Sequence, residues 1–131
     1  MYKKIVQLIN SGDYSGARAQ IAIAIRSNSI SKLQLKKILE MLSKSSKAAK
    51  YISSKTIFDI DNNEDNWNEE YILRLSSAIV SGDMSEEILY HTLKVCKYVR
   101  KQKVVSVSWK VAIVAIVLIV VFALIYINCK N

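Results

Sequence analysis

Asp59, Asp61, Asn63 and Asp65 alternate through the run IFDIDNNEDNWN at residues 57–68, and oxygen-bearing side chains at that spacing are what a calcium loop uses as ligands. Counted from Asp59, the twelfth position is Glu70, where such loops place a bidentate acid. The sixth position is Glu64 instead of the glycine that allows the sharp turn. Without that turn the ligands do not converge, so the run is expected to be a solvated acidic loop with no metal. Phe58 and Trp67 flank the acids. They either pin the loop to a core or stand out as anchors for a partner, because aromatics set in polar surroundings are frequent binding hot spots. Phe58, Asp59, Asp61, Glu64, Asp65, Trp67, Glu69 and Glu70 together form the candidate protein-binding surface.

The remaining reactive residue types do not assemble into a catalytic pattern. The one histidine, His91, lies between Tyr90 and Thr92 on a predicted helix and reads as structural. Cys96 has Lys94, Lys97 and Arg100 close in sequence, which favours a thiolate. It also falls on an apolar helix face, where a small core residue is expected. Cys96 and Cys129 lie on either side of a long apolar stretch and are not expected to pair. There is no cysteine spacing suited to zinc and no glycine-rich phosphate loop. The chain is therefore expected to be no enzyme and to carry no cofactor. Lys32, Lys36, Lys37, Lys44, Lys47 and Lys50 form a basic stretch, read as a solvated face or as a surface for an acidic partner or anionic lipid heads.

Positioning these groups falls to helices. The chain has 131 residues, no proline and three glycines, where an all-β domain would show many turn residues. An all-α fold is expected: a small bundle of four to five short helices followed by one C-terminal transmembrane helix. Spacings of three and four predict helices over Tyr2–Asn10, Ser15–Arg26, Lys32 to about Leu42, Glu69–Val80 and about Met84 to Arg100. The third could extend to Ile52. Ile21-Ala-Ile-Ala-Ile25 also alternates as a strand would, but no second strand is available to pair with it. Ser31 and Asn68 read as N-caps. Ser11-Gly12-Asp13 recurs as Ser81-Gly82-Asp83, each between a helix end and a helix start. This predicts two turns of the same chemistry, and a duplication is only weakly supported.

The stretch Val111 to Ile127 holds 17 residues with no charge, glycine or proline. As helix it measures about 26 Å, and its Val, Ile, Leu and Phe residues favour insertion by roughly 4 to 8 kcal/mol. Trp109 and Tyr126 stand at its two ends, where interfacial aromatics belong. Lys94, Lys97, Arg100, Lys101, Lys103 and Lys110 precede it, and only Lys130 follows. With Trp109 and Tyr126, these six bases are the expected membrane-interface residues. The positive-inside bias predicts a cytosolic N-terminal domain and an external tail at 128–131. The expected organisation is a helical domain at 1–103, a basic juxtamembrane segment at 104–110 and a span at 111–127. No signal peptide is expected, because Met1-Tyr2-Lys3-Lys4 leads into an apolar run too short for one.

Formal net charge is +8, but it is divided into blocks: basic through residue 57, acidic over 58–90 and basic again afterwards. A nucleic-acid binder would lack the acidic middle, so no nucleic-acid partner is expected. The span has no ionisable group with which to conduct ions, which makes it an anchor or an association surface through which the chain could form homo-oligomers. The expectation is a non-enzymatic, tail-anchored, single-pass protein whose helical domain binds a protein partner at the bilayer. A toxin-immunity or host-defence factor of a bacterial inner membrane is the concrete version, on the Lys- and Ile-rich composition. The alternative is a membrane-perturbing effector or toxin whose single span oligomerises.

Overall fold

The predicted periodicities become five helices in a computed structural model that describes residues 1–130. They are α1 (Tyr2–Asn10), α2 (Tyr14–Arg26), α3 (Lys32–Ser43), α4 (Glu69–Ser81) and α5 (Glu86–Lys130). Short 3-10 turns at Ala48–Tyr51 and Glu64–Asn66 interrupt the connection between α3 and α4. No strand occurs among the described residues. Ile21-Ala-Ile-Ala-Ile25 is helical and buries Ile21, Ala22, Ala24 and Ile25 while Ile23 is exposed. A strand would have turned all three isoleucines to one side.

The helix ends explain the repeated tripeptide. The Asp13 N–H donates to the Leu8 carbonyl at 2.9 Å and the Gly12 N–H to Ile9 at 3.1 Å, with Gly12 at φ +80°. At α4, the Asp83 N–H donates to Ala78 at 2.9 Å and the Gly82 N–H to Ile79 at 3.2 Å, with Gly82 at φ +128°. Both are Schellman endings, in which a left-handed residue lets the chain fold back onto the last carbonyls. Asn28, at φ +54°, ends α2 through Ser29 N–H to Ala24 and Asn28 N–H to Ile25. The shared tripeptide thus reflects a shared way of stopping a helix.

Starts are capped as their residue types require. Ser31 and Gln34 form a reciprocal capping box on α3, and the Asn68 side chain accepts from the Tyr71 N–H at 2.9 Å. α3 stops at Ser43, so the extension to Ile52 is not made; Ala48 is buried from the 3-10 turn instead. α5 starts at Glu86, two residues later than expected, because Ser85 serves as its cap: its Oγ accepts from the Ile88 N–H at 3.3 Å.

Two compact units divide the chain, Met1–Val99 and Arg100–Asn131. In the first, α1 packs on α2, α2 on α4, and α3 against α1. Its core is built from Ile5, Ile21, Ile25, Leu35, Ile38, Leu42, Leu75, Ile79, Ile88 and Leu89, all fully buried. The second unit is helical through Lys130, including residues 104–110. Every one of its described side chains is exposed, and the helix is long and apolar enough to cross a membrane.

Candidate functional site

The acidic run is held at both ends by buried groups of the first unit. At its start, Asp83 is nearly fully buried, and its Oδ2 accepts from Thr56 Oγ1 at 2.5 Å, Ile57 N–H at 3.0 Å and Phe58 N–H at 3.1 Å. Its other oxygen, Oδ1, is buried with no hydrogen-bond partner among the described residues. Phe58 is half-buried, 6.1 Å from the Tyr71 ring, with the Arg74 guanidinium 5.7 Å from its own ring centre.

At the far end Trp67 is buried, 5% exposed, and its Nε1 donates to the Asp61 carbonyl at 2.7 Å. Its ring meets those of His91 and Tyr98 edge-on, each at 5.3 Å. Lys94 Nζ stands 5.2 Å from the Trp67 ring centre. Trp67 therefore fastens the loop to the core and is not an exposed partner anchor. Of the two readings left open by sequence, burial decides for the core.

Between these fixings Asp61 organises the turn. Its N–H donates to the Tyr71 hydroxyl at 2.9 Å, and its carboxylate accepts from Asn63 N–H at 2.8 Å and Asn66 Nδ2 at 2.7 Å. The Asn63 donation, and then that of Asn66, hold the Asp61 carboxyl below its ordinary value. Tyr71 lies 3.0 Å from His91 Nε2, and burial pushes its phenol up, so it stays neutral. Burial, reinforced by the Lys94 charge, pushes His91 down. Neutral His91 is therefore part of the support of the acidic loop, beneath Trp67 and beside Tyr71.

Asp59, Glu64, Asp65, Glu69 and Glu70 remain exposed, and Asp61 partly so. Asp59, Asp61 and Glu70 line an open polar cleft of about 360 Å³ with Asn66, Asn68 and Arg74. Among the described residues no group of three or more acids, histidines or cysteines converges as metal ligands. The Asp61 oxygens accept from Asn63 N–H and Asn66 Nδ2.

No family model matches the chain, and neither a curated protein nor a solved structure is similar to it.

Two features leave no signal in the sequence. Asp83 repeats Asp13 as a turn residue, and nothing local distinguishes them. Asp13 accepts from the Gly16 N–H as the α2 cap, whereas Asp83 reaches back to residues 56–58. The second feature is a cleft of about 490 Å³ where Lys32 joins Asn62, Tyr90, His91, Lys94 and Lys97. By sequence Lys94 and Lys97 belong to the membrane flank and Lys32 to the α3 face. Of the other interface candidates, Arg100, Lys101, Lys103, Trp109, Lys110 and Tyr126 are exposed on the second unit, with Lys130 Nζ 5.6 Å from the Tyr126 ring centre.

Proposed function

We propose that the chain is a single-pass membrane protein whose helical N-terminal unit is a non-enzymatic binding module held at the bilayer. The observation that carries this reading is the exposure of every side chain from Val111 to Ile127, an apolar run that the protein leaves uncovered. Such a surface is unfavourable in water and matches a hydrocarbon environment. The bases before the run favour a cytosolic N-terminal unit. The protein-binding surface is the exposed acidic rim of Asp59, Glu64, Asp65, Glu69 and Glu70, presented to a basic partner. Phe58 and Trp67 support that rim from beneath. A toxin-immunity or host-defence role at a bacterial inner membrane is the concrete form of this proposal, resting on position and composition.

Alkaline carbonate extraction of membranes tests the anchor. The full chain stays in the pellet, and a chain lacking residues 104–131 moves to the supernatant; release of the full chain by carbonate or salt would sink the reading. Cys129 is exposed and Cys96 buried. A membrane-impermeant maleimide applied from outside should therefore label Cys129 in intact cells. Photo-cross-linking from position 64 tests the rim: one protein is captured, and adding D59N/D65N/E69Q/E70Q to the same chain abolishes its capture. If the full chain instead collapses the membrane potential of its host, the effector reading replaces this one.

A further inference from the structure

We propose that the cleft formed by the start of α3, Asn62 and the N-terminal turns of α5 binds a phosphate group, of the kind an anionic lipid headgroup presents. The cleft is lined by Lys32, Asn62, Tyr90, His91, Lys94 and Lys97, and no carboxylate lines it. Three ammonium groups around one concavity, with an exposed amide at its edge, form a set of donors and positive charges for an oxyanion.

Two of these ammonium groups are positioned by aromatic faces. Lys32 Nζ lies 4.8 Å from the Tyr90 ring centre, and Lys94 Nζ 5.2 Å from that of Trp67. A ring face holds an ammonium group without neutralising it, so the charge remains available to a ligand. Among the described residues, none of Lys32, Lys94 and Lys97 makes an ion pair. Holding the heads in place before binding lowers the ordering cost of capturing an anion.

His91 adds a further polar group. Its Nε2 faces the Tyr71 hydroxyl at 3.0 Å, and its Nδ1 makes no hydrogen bond among the described residues. Tyr71 accepts from the Asp61 N–H at 2.9 Å, and its one proton has two acceptors within reach, the Asp61 carbonyl at 3.4 Å and His91 Nε2 at 3.0 Å, of which the shorter contact is the better. With that proton directed to Nε2, the imidazole carries its own proton on Nδ1, leaving a donor over. The carboxylates that act on His91, Asp61 and Glu87, lie outside the cleft lining. In sequence, Lys94 and Lys97 begin the basic run that precedes the apolar stretch. A chain anchored by that stretch would meet headgroups at high local concentration. The inference goes beyond the anchoring proposal and does not require it, because the phosphate group can also be offered in solution.

The test uses the full chain in neutral detergent micelles, titrated with inorganic phosphate and followed by the His91 ring and Lys side-chain NMR resonances. Saturable shifts at His91, Lys94 and Lys32 are expected. The variant K32Q/K94Q/K97Q should weaken binding about a hundredfold, and K32R/K94R/K97R should restore most of it. K3Q/K4Q/K55Q removes the same charge from exposed positions outside the cleft and should stay within about twofold of the parent. A second arm places the chain in nanodiscs with or without phosphatidylglycerol. The same resonances shifting only in the anionic discs identifies a headgroup as the source, whereas phosphate shifts without a lipid effect identify a soluble phosphate ester. Absence of saturation in both arms overturns the proposal, as does equal weakening by the two glutamine triples. Circular dichroism of each variant separates lost binding from lost fold.

Discussion

Asp83 holds three donors on one carboxylate oxygen, while Asp13, at the matching place in the repeated tripeptide, caps a single N–H. The difference should be measurable. Asp83→Ala leaves the Thr56 hydroxyl and the Ile57 N–H without their acceptor and the Phe58 N–H with Thr56 Oγ1 alone, and is expected to cost about 2–3 kcal/mol, against about 1 kcal/mol for Asp13→Ala. Urea unfolding of the full chain in neutral micelles checks the order, and equal costs would contradict the latch described for Asp83. Amide exchange at residues 57 and 58 should accelerate in the Asp83 variant alone. His91 sets a pH dependence at the same scale. Its folded pKa lies below the ordinary value of 6.5, burial being the first cause and Lys94 the second. The unfolded chain therefore binds the proton more readily, and stability present above 6.5 is lost as pH falls toward the folded pKa. Asp61, also lowered, adds a second loss below 3.8, in the same direction. His91→Gln should remove the first limb and leave the second; an unchanged profile between about pH 7 and 5 would refute this.

At the level of the elements, helix ends matter more than helix interiors. α1 and α4 both stop on a glycine with positive φ, at +80° for Gly12 and +128° for Gly82. A Cβ at Gly12 would meet nothing within 4 Å, so Gly12→Ala reports the backbone cost alone, about 1 kcal/mol. Gly82 sits further from the left-handed region, and its Cβ would lie 3.4 Å from the Arg18 guanidinium. Gly82→Ala should therefore cost more, about 2 kcal/mol, in thermal or urea unfolding. A larger loss at Gly12 than at Gly82 would show that these endings are not the local constraint described. The faces of the helices were legible in advance because burial follows the spacing. Ile88, Leu89, Thr92, Leu93, Cys96 and Val99 are all buried, as a helical stripe requires. Trp67 was not legible. Its indole donor finds a carbonyl six residues earlier, while its ring is enclosed by His91 and Tyr98 from another helix. No local pattern distinguishes that arrangement from an exposed anchor.

The whole molecule consists of two units with opposite relations to solvent. Among the described residues the buried hydrophobic core lies within Met1–Val99, and none of it lies from Arg100 onward. A chain ending at residue 103 should consequently retain the unfolding midpoint of the full chain in micelles, within a few degrees. A drop much beyond that would mean the second unit stabilises the first. Such a contrast was readable directly from residue types, because an uncharged apolar run of this length has few alternatives to a long apolar helix. The sequence by itself determined the helical class, the caps, the buried stripes and the apolar C-terminal helix, since each depends on neighbours within about one or two turns. Only the tertiary structure decided that Trp67 faces inward, that Asp83 reaches back to residues 56–58, and that Lys32 shares a cleft with Lys94 and Lys97. These depend on which distant segments meet, and the burial that brings them together is non-directional and leaves no spacing in the chain to read.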